Sequence, residues 1–174
     1  MDEYSSRASR LRDRTGLSPR LGLRARRSCL RATPEIQLSA FLANKPGVVA
    51  HLCDALTERG VSIRAMTVLD TVDIGTMRMI VDNVEVAKEA LDDAGAAYVE
   101  VPVITIPIPN CLGGFTVIAR RLAGANINIE YMYATAVPGT EHTLGVFRVS
   151  DYESAMELDF DVDRAGRTAG PVRV

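Results

Sequence analysis

Apolar positions in this chain change period along its length, and the changes come twice in the same order. Ile36 to Ala43 is a short apolar run closed by the turn signal Asn44-Lys45-Pro46-Gly47. Val48, Val49, Leu52, Cys53 and Leu56 then recur at helical spacing, and Arg59-Gly60 stops that helix. Pro46 suits the first helical position, and Asn44 or Lys45 stands where a cap belongs. Val61 to Thr71 predicts a strand, Asp73-Ile74-Gly75 a turn, and Thr76 to Asp82 the partner strand. Val84, Ala87, Leu91 and Ala94 predict a second amphipathic helix, stopped by Gly95, and Ala97 to Pro102 a closing strand.

The second pass begins 66 residues later, where Asn110-Cys111-Leu112-Gly113 stands as Asn44-Lys45-Pro46-Gly47 did. Leu52 maps onto Ile118, Leu56 onto Leu122, Val61-Ser62-Ile63 onto Ile127-Asn128-Ile129 and Met66 onto Met132. Two extra hairpin residues then move the offset to 68, so Ala87 falls on Ala155. Strands are predicted at Val103 to Ile108, Ile127 to Val137 and Thr143 to Ser150, with a helix at Gly114 to Ala123. Pro138-Gly139 supplies a turn, and Asp151 caps a helix reaching about Leu158.

A fixed internal period is settled before any other reading. Two helices and four strands per copy predict an α+β chain of two ferredoxin-like βαββαβ units side by side, antiparallel sheets with helices on one face. Either copy alone is marginal in size, so the copies are expected to share an interface. The sheet's other face is expected to be solvated or covered by a partner, and its edges to favour dimers. The divisions are residues 1–33, a disordered basic tail; 34–102, the first unit; and 103–174, the second, atypical after about 158. There Asp159-Phe160-Asp161-Val162-Asp163 is charged and aperiodic, and the closing strand is missing from the pattern.

Charge sharpens the tail boundary. Residues 1–33 carry nine Arg and three acidic residues, net +6, against net −8 for the rest, which recovers the overall −2. Such a tail is an unstructured extension, a nucleic-acid or membrane arm, or a transit peptide that Asp2 and Glu3 fit poorly. The acidic body repels nucleic acid. No apolar run approaches the ~18 residues of a membrane span, so a cytoplasmic protein is expected. Cys29, Cys53 and Cys111 have no metal-binding spacing, and Cys53 falls on a helix's apolar stripe.

The run Asn44-Lys45-Pro46-Gly47, Glu58-Arg59-Gly60-Val61-Ser62-Ile63 and Asp70-Thr71-Val72-Asp73-Ile74-Gly75 resembles an ACT domain, the amino-acid-sensing regulatory module. Gly124-Ala125-Asn126-Ile127-Asn128-Ile129-Glu130-Tyr131 resembles the same module's second strand, and about residues 34–159 resemble stand-alone ACT pairs. The resemblance implies a small amino acid held between the first loop of one unit and the second strand of its neighbour. It implies a homodimer and regulation of an amino-acid biosynthetic enzyme, with no catalysis and no cofactor.

Ligand candidates are Asn44, Lys45, Pro46 and Gly47 in the first loop, Asn110, Leu112, Gly113 and Gly114 in the second, and Ser62 and Asn128 on the strands. A helix start suits a carboxylate, and glycine lets a ligand approach backbone closely. Asp70 or Asp73 can face an ammonium group, with Arg78 a further carboxylate candidate. Against these roles, both loop asparagines can be helix caps, and Asp70 and Asp73 turn formers. His51 and His142 are too isolated to be bases. An enzyme is disfavoured: there is no Ser-His-Asp set, metal spacing or GxxxxGK loop. RNA binding is disfavoured by the lack of aromatics in Val61–Asp82. A ligand-free pairing module of the same fold is the alternative.

Overall fold

The computed structural model describes residues 30–71, 74–135 and 139–160, with only the backbone of Asp70 and Thr71. The tail before Leu30, the segment after Phe160, and Asp73 lie outside them. Copy one contributes β1 (Thr33–Ala43), α1 (Val48–Glu58), β2 (Ile63–Thr71), β3 (Ile74–Val81) and α2 (Val84–Asp93). After β4 (Tyr98–Pro109), copy two adds α3 (Gly114–Gly124), β5 (Ile129–Thr135), β6 (His142–Val149) and α4 (Tyr152–Glu157). All six strands form one antiparallel sheet in the order β2-β3-β1-β4-β6-β5. Ile74 and Gly75 belong to β3, not to the turn expected there.

The two strands predicted on either side of Pro102 are one strand, β4, and the copies share it. Its first part pairs with β1 (Tyr98 opposite Ala40, Thr105 opposite Thr33), its last part with β6 (Ile104 opposite Phe147, Pro109 opposite His142). Prolines in a central strand normally break the ladder because they lack a donor. Pro102 turns to the β6 side before that pairing begins, and Arg148 Nη1 donates to its carbonyl at 2.8 Å. Alternation turns Pro107 and Pro109 to the β1 side, beyond the last β1 pair at Thr105. No proline displaces a ladder bond, so proline marks no boundary here.

Each copy buries a core between its helices and the sheet. Leu38, Leu52, Leu56, Met77, Met79 and Leu91 build the first. Ile104, Ile106, Ile118, Leu122, Phe147 and Phe160 build the second, together with Ala32 and, at its margin, Leu30. Charge places residues 30–32 with the tail, yet they pack here, and the backbone of Phe160 donates to the Leu30 carbonyl at 2.9 Å. The opening of β1 thus lies against β4 where a fourth strand of copy two would pair, and Asp159 bridges to Arg31.

The face away from the helices is not bare, as the sequence suggested. The sheet curls until its edge strands β2 and β5 approach each other, and the concave side fills with Ala65, Ile80, Val103, Tyr133 and Val146. Gln37, fully buried in the strand of one copy, donates through Nε2 to Ser39 Oγ at 2.8 Å and to Tyr131 Oη at 2.9 Å. Its Oε1 accepts from Tyr133 Oη at 3.2 Å. A buried amide is tolerated when its donors and acceptor are met, and these bonds meet them while tying the copies together.

Candidate functional site

The four described helices begin in two ways. Asn83 caps α2 by accepting from the Val86 amide, and Asp151 caps α4 by accepting from the Ser154 amide. Both longer first helices begin instead at glycine in the left-handed region, Gly47 (φ 88°) and Gly113 (φ 84°), with no side-chain cap. Asn44 is therefore not the cap the sequence offered, and Pro46 precedes the helix. The amides of Val49 and Ala50 in α1, and of Phe115 and Thr116 in α3, have no recorded partner among the described residues. Such groups, at the positive end of the helix dipole, suit a carboxylate.

In the second loop, Asn110 is a latch. Its Nδ2 donates to the Thr140 carbonyl at 2.8 Å, its Oδ1 accepts from Thr143 Oγ1, and its backbone amide donates to the Glu141 carbonyl at 2.9 Å. These bonds hold the β5–β6 connection against the loop. Beside them opens a cleft of about 530 Å³ lined by Ile108, Pro109, Asn110, Cys111, Leu112, Phe115, Met132, Ala134 and Thr143. Asn110 and Leu112 are thereby brought together with Met132, and Leu112 stands fully exposed at the rim.

Glycine plays two different parts here. Side chains at Gly47 and Gly113 would meet nothing, so the left-handed backbone is what requires glycine and the space above it is open. Gly114 is the reverse: buried, with a Cβ there falling 2.1 Å from the Pro109 carbonyl oxygen. It lets the helix approach β4.

The strand candidates lie elsewhere. Ala43, before the first loop, pairs with Ile74, whereas the Ser62 carbonyl accepts from the Asp82 amide at the far end of β3. Eight residues of strand, about 26 Å, separate the two ends. In copy two the Asn110 amide bonds to Glu141 before β6, and the Asn128 carbonyl accepts from Ser150 after it. Loop and strand candidates of one copy therefore do not converge. Strand direction pairs them crosswise: β5 starts at Asn128 toward the end where β1 delivers Asn44 to Gly47, and β2 starts at Ser62 toward the end of the second loop.

Backbone bonds fix those starts alike, Ser62 N to Asp82 Oδ1 at 2.9 Å and Asn128 N to Ser150 Oγ at 3.0 Å. Both side chains are exposed. The side chain of Asp70 is outside the described residues. Tyr131, Tyr133 and Arg78 face the concave side, away from both loops.

Burial, then Asp54, pushes the half-buried Cys53 thiol up and keeps it protonated. His51 and His142 are exposed, and no group of three metal-ligating side chains occurs among the described residues. No described helix is long and apolar enough to cross a membrane.

The comparisons agree with this architecture. Curated proteins gave no match. Protein BT0572 from Bacteroides thetaiotaomicron is similar at 29% identity and a TM-score of 0.68, over 72% of this chain and 86% of that one. The ligand-free regulatory subunit of aspartate kinase from Thermus thermophilus shares the fold at 17% identity and a TM-score of 0.54, over 74% and 93% of the two chains. Its counterpart from Thermus flavus does so at 17% and 0.51, over 74% and 94%. The model of a family described as an ACT domain pair matches residues 34–163. With its repeat, its shared sheet and that match, this chain belongs to the ACT domain pair family.

Proposed function

We propose that this ACT pair is a regulatory module that binds a small free amino acid and passes its occupancy to an enzyme of amino-acid biosynthesis, without catalysis of its own. One observation carries the reading. The start of α3 offers the Phe115 and Thr116 amides to a carboxylate, next to a cleft whose walls are mostly apolar. Leu112, Phe115 and Met132 then take an apolar side chain, while Asn110 and Thr143 border the polar end. In copy one, Asn44, Lys45, Pro46 and Gly47 form the matching loop. Ser62 and Asn128 act crosswise, each toward the other copy's loop, and Asp70 is assigned the ammonium group. Regulatory subunits of aspartate kinase share this fold, which supports a regulatory part in amino-acid metabolism. A cytoplasmic homodimer is the proposed form, since Met66 and Val68 leave apolar surface on edge strand β2.

Calorimetric titration of the full chain with each of the twenty amino acids tests this. Saturable heat with one or a few supports a sensor; silence with all twenty favours a ligand-free pairing module. For the amino acid that binds, Asn128→Ala is expected to cost roughly 1–3 kcal/mol of affinity with the melting midpoint unchanged. Unaltered affinity would remove Asn128 from the site. Sedimentation of the full chain as a strict monomer at micromolar concentration would count against the dimer.

A further inference from the structure

The concave face of the sheet carries a guanidinium with no anion recorded against it among the described residues. Arg78 lies half-buried on β3, between Ser39 of β1 and Thr67 of β2. Its Cζ sits 3.7 Å above the centre of the Tyr131 ring, which fixes the plane of the fork. Among the described residues no carboxylate is recorded against it. Glu35, on the same face, is held by Arg64 at 2.7 Å. The groups around Arg78 are donors as well. Ser39 Oγ and Tyr131 Oη each accept from Gln37, leaving their own protons with no recorded acceptor, and Thr67 and Thr76 are in the same position. A partly desolvated cation among hydroxyl donors lacks one thing, an acceptor of negative charge.

The next rung of the ladder gives the ligand its shape. Phe41 and Leu69 flank Thr76 on this face, and Val99 stands beyond Ser39. All three are unusually open for large apolar side chains, at 43%, 43% and 46% exposure. An anion on Arg78 thus continues into an apolar strip. No acidic side chain on the described face is free to take an ammonium group, so a zwitterion fits poorly.

We propose that this face binds a small carboxylic acid with an apolar body and no α-amino group. The carboxylate engages Arg78, with Ser39 and Tyr131 donating, and the body lies on Phe41, Leu69 and Val99. This site is on the opposite side of the sheet from the helix-start cleft and stands whether or not that cleft binds an amino acid.

Hexanoate is the probe, with acetate, hexanol and inorganic phosphate as controls, titrated into the full chain by calorimetry and by amide NMR. Saturable hexanoate binding is expected, at least tenfold tighter than acetate or phosphate and absent for hexanol, with shifts at Arg78 and Tyr131. Arg78→Gln is expected to weaken hexanoate at least tenfold. Should that variant not fold, Leu69→Asp, an exposed change on an edge strand, is expected to do the same by repulsion. The proposal is overturned by no hexanoate binding, by shifts confined to Cys111 and Leu112, by phosphate binding as tightly, or by both folded variants binding as the parent does.

Discussion

Copies one and two share a backbone but fill it with different side chains. In copy one Met77 and Met79 of β3 are fully buried beneath a helix that starts with Val48 and Val49. The corresponding residues of copy two are Gly145, Phe147, Gly114 and Phe115. Volume has moved: Phe147 takes the space beside Gly145, where an added Cβ would lie 2.5 Å from Ile108 and 2.7 Å from the Phe147 ring. Phe115 stacks on Phe147, with centroids 6.4 Å apart and planes 7° from parallel. Two glycines and two aromatics replace four medium side chains, and the rebuilt end is where the cleft opens. A duplicated fold can therefore keep its register while the side chains around equivalent helix starts differ.

The sharpest way to break that comparison is Gly114→Ala. A methyl group there meets backbone that cannot yield cheaply, and a loss of about 3 kcal/mol is expected. Val48→Ala, at the same position of copy one, is expected to cost about 1 kcal/mol. Chemical denaturation of both variants checks the difference, and similar losses would mean that α3 is free to shift away from β4.

Gln37→Ala probes what joins the copies and is expected to cost about 2 kcal/mol, because it strands the hydroxyls of Tyr131 and Tyr133. The same network gives a pH signature. Burial raises the Tyr133 hydroxyl well above its ordinary value. Its folded form holds a proton that the unfolded chain releases, so its contribution is full below about pH 10 and declines as pH rises beyond it. Melting between pH 9 and 11 should show that decline in the parent and a shallower one in Tyr133→Phe.

The smallest expected effects separate the capped helices. Asn83→Ala is expected to cost about 1 kcal/mol, at any pH, because an amide does not titrate. Asp151 holds its carboxyl below the usual range, first through the Ser154 hydroxyl and then through the Ser154 amide. Its contribution is present above the unfolded carboxylate value and fades as pH falls through the lowered one, so acid should loosen α4 before α2. Hydrogen exchange at Ser154 and Val86 across pH 2 to 5 reads the two caps separately. Equal loosening of both would make the chemistry of the cap irrelevant.

Much of this was legible from the residues. The periodicity of Leu52 and Leu56, repeated at Ile118 and Leu122, placed the helices and their buried faces. The paired loops placed the helix starts, although Gly47 and Gly113 stand there in place of the side-chain cap expected. Three features were not legible, each for a physical reason. Pro102 looked like an end because a sequence does not say which neighbour a residue's donor faces. Leu30 and Ala32 looked like tail because nine arginines dominate the composition while two small apolar groups complete a distant core. The distance of Ser62 and Asn128 from their own loops was hidden because an offset of 66 records equivalence between copies, not position within one. The Asn110 latch has a signal in hindsight, the threonines at 140 and 143 in a connection that copy one makes shorter. Gln37 had one as well, an amide in the middle of an apolar strand.

The bond between Phe160 and Leu30 makes the two extremes of the described chain meet inside copy two. During synthesis, then, the core of the later half closes in part on a segment made 130 positions earlier. That segment is also the start of β1, which copy one needs at once. Final assembly is a ring closure, whose entropic cost grows only slowly with the intervening length. The contacts that complete it are the ones least able to form in either half alone, so a chain cut at the shared strand should yield two fragments that recover order only on mixing.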